Sequence, residues 1–118
     1  MDNPSRTPGK TTIAPEVLLA IARLNVLSVP GVSHLSTTPG DVNQLLTRGT
    51  NEGVRVQVDS GVVYADVYVV MHADVNVREV SRAIQARVVR AISEMVGMEV
   101  GKVNVHVEDI AYPVNNKS

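Results

Sequence analysis

Valine alternates with other residues in three stretches of this chain, and this alternation constrains the fold more than any other feature. Within residues 54–58, 63–71 and 103–107, every second residue is apolar. Successive side chains of a β-strand point to opposite faces of a sheet, so a period of two predicts strands with one buried face. The chain must therefore form a sheet that places one apolar face against a second layer.

The first two stretches predict a β-hairpin. Ser60-Gly61 separates an alternating run that ends at Asp59 from one that begins at Val62, and a two-residue connection of this kind is typical of a hairpin turn. In the second strand, one row of side chains is apolar and should face the core. The opposite face carries the other row: Tyr64, Asp66, Tyr68, Val70 and His72.

A long helix is predicted between the hairpin and the last alternating stretch. Asn76 and Glu79 have the spacing of a capping box, and Gly97 stands where a left-handed C-cap belongs. The apolar residues of this segment recur at helical spacing, which predicts one buried face. That face comprises Val77, Val80, Ile84, Val88, Ala91, Ile92 and Met95.

Another helix is predicted near the N-terminus, from Pro15 to about Leu27 or Ser28. Proline suits the first helical position, and Pro30-Gly31 cannot continue a helix comfortably. Apolar residues lie most of the way around this helix, and such a helix is usually buried on more than one side. In so small a domain, this pattern predicts contact with a partner subunit.

Together these elements predict an α+β fold. We expect a two-layer sandwich, with a mostly antiparallel sheet of three to five strands and two helices packed on one face. Short strands are expected at 11–13 and 31–37, and one helical turn at 41–46.

The length of 118 residues suits a single domain. Residues 1–10 are polar and contain two prolines, so we expect a flexible N-terminal arm. The domain itself should span 11–112, and 113–118 should form a flexible tail. The arm has no apolar core and does not resemble a signal peptide, so we expect a cytoplasmic protein.

Composition argues against several classes of function. Aromatic residues make up only 3% of the chain, which disfavours recognition of bases by stacking. The net charge of -1 argues against a broadly basic nucleic-acid binder, and the absence of cysteine excludes thiolate sites. No apolar run approaches the roughly 20 residues that a membrane-spanning helix needs, so we expect no direct membrane insertion.

Motifs of catalysis and metal binding are missing from the sequence. There is no Gly-rich phosphate loop, nucleophile elbow or metal-ligand spacing. His72 and His106 fall on the same face of the predicted sheet, with Asp66 and Glu108 nearby, but ordinary polar residues of a solvated face explain them better. We therefore predict no catalytic residue, no cofactor and no metal.

Large amphipathic or apolar groups on the second face of the sheet suggest a protein-interaction face. Its candidate residues are Tyr64, Tyr68, Val70 and His106. Tyrosine is enriched at interfaces because it buries area and keeps a polar tip. Packing between neighbouring strands is the competing interpretation. The unpaired edges of a small sheet offer another mode of interaction, because they can add a strand from a second chain.

Arginines on the long helix support an alternative function. Arg78, Arg82 and Arg90 are candidate contacts to nucleic acid. Glu79 and Glu94 lie at pairing distance along the helix, so a solvated and partly self-paired face is the simpler interpretation.

Several of these segments, taken together, resemble the alkaline shock protein family, the envelope stress response proteins of Gram-positive bacteria. The features are the N-terminal helix followed by Pro30-Gly31-Val32, the central hairpin, Asn76-Val77 before Glu79-Val80, Ile84-Gln85, Met95 with Gly97, and Val103-Asn104-Val105-His106-Val107. The resemblance covers about 10–112. Ala14 departs from it where a capping Ser is expected, and Glu52 departs from a more basic loop.

The resemblance implies a non-enzymatic protein of the cytoplasm that acts in cell-envelope homeostasis. Some members of the family self-assemble, and some are held at the inner face of the membrane by a small membrane-anchored partner. We therefore expect a homo-oligomer that is peripheral at the inner face of the cell membrane. The resemblance brings no catalytic residues.

Overall fold

The computed structural model describes residues 12–36, 50–51 and 53–113, which form two helices and five strands. In chain order these are α1 (Pro15–Leu27), β1 (Val32–Leu35), β2 (Thr50–Asn51), β3 (Val54–Asp59), β4 (Val62–His72), α2 (Val77–Val96) and β5 (Glu99–Ala111). The predicted N-terminal arm, the helical turn at 41–46 and nearly all of the predicted tail lie outside the described residues. Thr12 and Ile13 have no regular structure, so the short strand expected there is wrong for these two residues.

The hairpin of β3 and β4 forms as predicted, around Ser60-Gly61. Ser60 has a φ of 52° and Gly61 a φ of 79°, which is the pair of left-handed conformations of a type I′ turn. The turn sets the register of the hairpin, from Asp59 opposite Val62 to Val54 opposite Val67. The alternating apolar rows of the two strands then face α1 and α2 together, and every member except exposed Val58 belongs to the core.

Strand β4 lies at the centre of the sheet. It pairs antiparallel with β3 along its first half and with β1 near its end. Strand β5 runs parallel to β4 along its whole length, so β5 must occupy the opposite edge from β1 and β3. Three of the four pairings are antiparallel, as expected. Helix α2 supplies the crossover that a parallel pairing requires.

The two helices cover one face of the sheet and share one core with it. Helix α1 packs on β1, β2, β3 and α2, and helix α2 also packs on β5. The largest fully buried side chains come from both layers: Leu18, Val26, Val54, Val63, Val67, Val69, Met71, Ile84, Val88 and Ile92. This confirms the predicted two-layer α+β sandwich.

The ends of α2 confirm the predicted caps. Asn76 Oδ1 accepts a hydrogen bond from the backbone N–H of Glu79 at 3.0 Å, and Gly97 has a φ of 77°. Two members of the predicted apolar face are nevertheless exposed: Val77 by 39% and Met95 by 68%. They lie in the first and last turns, and the residues buried on that face lie between them.

Candidate interaction surfaces

The sheet face opposite the helices brings residues of β4 and β5 together in register. Asp66 lies opposite Asn104, and Tyr68 lies opposite His106. This arrangement follows from the alternation in both strands, because the odd-numbered valines of β5 between residues 103 and 107 face the helices. The predicted row of β4 and the polar row of β5 therefore form one surface.

A single carboxylate oxygen organises the middle of this surface. Asn104 Nδ2 donates to Asp66 Oδ1 at 3.1 Å, and His106 Nε2 lies 3.0 Å from the same oxygen. The Tyr68 and His106 rings stack, with centroids 4.5 Å apart and planes 12° from parallel. Asp66 thus connects two side chains of β5 to β4 and fixes the orientation of the imidazole.

This cluster should contribute modestly to stability. Replacing Asp66 with alanine removes the acceptor of two contacts. Because the site is partly exposed, we expect the free energy of unfolding to fall by only about 1 kcal/mol. Urea denaturation followed by circular dichroism measures the change. Asp59→Ala is the control, since among the described residues the exposed Asp59 side chain accepts one hydrogen bond, from the neighbouring Ser60 hydroxyl at 3.4 Å. Equal stabilities of the two variants would contradict the prediction.

The predicted protein-interaction face is only partly accessible. Tyr64 is 40% exposed, whereas Tyr68 and Val70 are each 7% exposed. His106 is half-buried against Tyr68 and Asp66. The ring of Tyr64 lies over Gly101. A Cβ added at Gly101 would lie 2.6 Å from a carbon of this ring, so the absence of a side chain at Gly101 makes room for Tyr64. That this face contacts another protein stays a prediction.

The histidines do not converge on a metal centre. Within residues 12–36, 50–51 and 53–113 there is no group of three or more His, Cys, Asp or Glu side chains that could hold an ion. His72 is exposed opposite Ala111, and His34 Nδ1 contacts the hydroxyl of Ser33 at 2.9 Å. His106 contacts one carboxylate.

The arginines of α2 are exposed, and two of the four are engaged within the protein. Arg90 Nε lies 3.4 Å from Glu94 Oε2, and Arg87 Nη1 donates to the Ser28 hydroxyl at 2.8 Å. Arg78 and Arg82 are exposed on the same helix. Nucleic-acid binding by Arg78, Arg82 and Arg90 stays a prediction. Of these three, Arg90 already forms an ion pair with Glu94.

Helix α1 presents a second apolar row to solvent, here called the α1 row: Val17, Ala20, Leu24 and Leu27. Val17 is 45% exposed, Leu24 70% and Leu27 44%. The opposite side of the helix is buried in the core through Leu18, Leu19, Ile21, Ala22 and Val26. The 3-4-3 spacing of the α1 row is visible in the sequence, but only the packing of α1 shows which of its apolar sides is left uncovered.

Strand β5 forms one edge of the sheet. Among the described residues it pairs only with β4, so its outer edge has no neighbouring strand. The apolar row of β5 that faces the helices is incompletely covered, because Val103 is buried and the rest are half-buried. These half-buried residues are Val100, Val105, Val107 and Ile110.

The fold and these surfaces define a small two-layer α+β domain with exposed apolar side chains and an open sheet edge. The chain belongs to the alkaline shock protein 23 family, described as having a cell envelope-related function, and the family model matches residues 3–112. This confirms the resemblance found in the sequence. Among the residues that the structure describes, neither helix is long and apolar enough to cross a membrane.

Two bacterial relatives are similar to this chain along most of their length. An uncharacterized protein of Bacillus subtilis, YqhY, is 26% identical over 114 residues, which cover 95% of this chain and 84% of the relative. An uncharacterized protein of Streptococcus pyogenes, Spy1535, is 33% identical over 103 residues, which cover 86% of this chain and 79% of the relative.

Solved structures with a similar fold include the CTD of MamM. Its copper form has a TM-score of 0.56 and 14% identity, with 87% of this chain and 90% of that chain covered. A nickel form of a variant of the same CTD has a TM-score of 0.50 and 14% identity, with 80% of this chain and 96% of that chain covered. At this identity the likeness concerns the fold alone.

Proposed function

We propose that this protein acts without catalysis in cell-envelope homeostasis under envelope stress. In this function it is a scaffold that self-associates and is recruited to the inner face of the cell membrane by a small membrane-anchored protein. Membership of a family with a cell envelope-related function supports the biological role. The surface of the domain supports the mode of action.

The α1 row is the observation that carries this proposal. Single exposed apolar residues are ordinary on protein surfaces, but Leu24 is 70% exposed and lies one turn from exposed Leu27 on the same side of the helix. The core already holds the other side of α1, so the fold does not require the α1 row. Its apolar spacing suits contact with another helix or a groove.

Burial of the α1 row would contribute substantially to binding. Full burial of one leucine side chain is worth roughly 1.5–3 kcal/mol, and each 1.4 kcal/mol corresponds to about tenfold in affinity. Leu24 keeps most of that surface in water. We therefore assign the contact with the membrane-anchored protein to the α1 row.

Replacing Leu24 with glutamate should release the protein from the membrane. A charge at this position cannot be buried in an apolar contact, so we expect a loss of roughly 10- to 100-fold in affinity for the anchored protein. The variant is supplied to a strain that lacks the wild-type chain. The measurements are the share of the variant in the membrane fraction and growth under alkaline stress.

The matched control is Val89→Glu, which places the same charge on an exposed valine of α2. Val89 is 38% exposed, so neither substitution should disturb the core. We expect the control variant to fractionate and support growth like the wild type. Equal behaviour of Leu24→Glu and wild type would overturn the assignment of the α1 row. Normal growth of the strain without the chain would overturn the proposed role.

A titration with single-stranded RNA separates this function from the nucleic-acid alternative. Phosphate contacts release counterions, so binding through Arg78, Arg82 and Arg90 would weaken steeply with salt. Arg90 is paired with Glu94, and the chain has a net charge of -1, so we expect a flat titration at low salt. Salt-dependent binding that Arg82→Ala weakens would instead support the alternative.

A further inference from the structure

The outer edge of β5 has a sequence suited to pairing with itself. Several pairs of residues at equal distances on either side of Val105 have matching or complementary chemistry, although Gly101 with Asp109 does not. Lys102 lies three residues before it and Glu108 three residues after it. Val103 and Val107 lie two residues away on either side.

We propose that β5 pairs antiparallel with β5 of a second copy, around a two-fold axis at Val105. The two sheets then continue into one another through backbone hydrogen bonds along edges that lack a neighbouring strand in the described structure. This inference rests on the proposed function, because it names the surface through which the protein self-associates. An interface of this kind uses the same patch on both copies.

In this register the helix side of the joined sheet receives matching apolar side chains. Strand β5 is regular from Lys102 to Val107, between its two register shifts, so antiparallel partners at equal distances from Val105 within this stretch lie on the same face. On the helix side, Val103 meets Val107 of the second copy, and Val100 meets Ile110. Pairing would thereby remove more of the half-buried apolar row of β5 from water, which favours association.

Charge also selects this register over its neighbours. Centred on Val105, Lys102 lies opposite Glu108 of the second copy, which stands at the register shift after Val107, and the axis repeats this pair. A register centred on Asn104 would instead place Glu99 opposite Asp109, and like charges directly opposite are destabilising. A register centred on His106 would place apolar Val103 opposite Asp109.

One contact of the protein already reaches the backbone of β5. Gln85 Nε2 of α2 donates to the carbonyl oxygen of Val103 at 3.1 Å. A backbone carbonyl oxygen has two lone pairs, so this bond uses one of the two acceptor sites of the Val103 carbonyl.

Disulfide trapping tests both the interface and its register, and the full chain has no cysteine of its own. Asn104 should lie opposite His106 of the second copy. We therefore expect mild oxidation of an equimolar mixture of Asn104→Cys and His106→Cys to give a cross-linked pair. Each variant alone should give little cross-linked product. In a dimer of one variant, the two cysteines lie diagonally across the strand pair, and their separation of about 7–8 Å exceeds the reach of a disulfide. Exposed Ser93→Cys on α2 is the control and should stay uncrosslinked.

Charge reversal tests the same register without oxidation. Lys102→Glu should raise the dissociation constant for self-association roughly three- to thirtyfold, because the axis doubles the repulsion with Glu108. Exchange of both charges in Lys102→Glu/Glu108→Lys should restore the wild-type value. Light scattering over a wide range of protein concentrations gives these constants.

The outcomes separate this inference from the function on which it rests. Cross-links in the mixture alone, with rescue by the double charge exchange, support pairing through β5. A mass that rises with concentration without these cross-links or that rescue overturns the β5 interface and leaves self-association standing. A mass of one protomer at every concentration overturns self-association itself.

Discussion

Replacement of Ile84 with alanine should lower the free energy of unfolding by about 2–5 kcal/mol. Ile84 is 0% exposed and lies on α2 in the cluster that joins both helices to the sheet. The truncation loses the transfer free energy of the deleted carbons and leaves a cavity, because the neighbouring side chains relax only partly. Equilibrium denaturation in urea measures the effect, and the slope with urea should stay unchanged.

The control for this prediction is Val89→Ala on the same helix. Val89 is 38% exposed, so the truncation should change stability by no more than about 0.5 kcal/mol. If Ile84→Ala were as mild as Val89→Ala, the sheet and α2 could not share the close-packed core described above. Such a result would also weaken any interface that depends on a rigid β5.

The Gly31→Ala substitution is the second change with a large expected cost, about 2–5 kcal/mol. Gly31 has a φ of +106°, which side chains rarely adopt, and an added Cβ would lie 2.7 Å from Val80 Cγ2. Backbone strain and overpacking therefore add. The residue also accepts a hydrogen bond from the N–H of His72 at 2.9 Å, so movement of Gly31 would disturb the end of β4.

Gly97→Ala separates the two causes of that loss. Gly97 has a similarly positive φ of +77°, but an added Cβ meets nothing within 4 Å. We expect only the cost of the left-handed conformation, about 1–2 kcal/mol. Thermal or urea denaturation of the two variants side by side gives the difference. Equal losses would show that contact with Val80 carries no penalty.

Local signals in the sequence were sufficient for most of the fold. The structure confirms three local features: the hairpin turn at Ser60-Gly61, the Asn76 cap and the Gly97 cap. Each of them depends on residues no more than a few positions apart in the chain. The period of the valines assigned the core face of β3 and β4. These features are predictable because the chemistry that decides them is contiguous in the chain.

Features decided by distant residues could not be predicted in the same way. The parallel pairing of β4 with β5 depends on where α2 returns the chain. Its two irregularities, after Val63 and after Val69, fall where the alternation of β5 breaks, at Gly101 and at Glu108. The burial of Tyr68 and Val70 was likewise unexpected, since both belong to the face opposite the helices. A period of two assigns a residue to a face, but it does not say how far that face is covered.

The candidate surfaces show the same limit. Apolar residues around α1 indicated burial on more than one side, yet Leu24 is 70% exposed in the protomer. The interpretation that a partner covers this side stays a prediction. For β5, the symmetry around Val105 is visible in the sequence, but its meaning depends on β5 lying at an edge, which only the strand order reveals.

The positions of α1 and β5 have a consequence for binding strength. Helix α1 packs over β1, β2 and β3 on one side of β4, whereas β5 borders β4 on the other side. Two copies joined along β5 would carry two α1 rows, each on the half of its sheet away from the junction. When two linked sites engage anchors in the same membrane, the second contact becomes intramolecular and avidity can exceed a single affinity by about 10²–10⁴. A weak contact at each α1 row would then suffice to hold the pair at the membrane, and separation of the copies would release both.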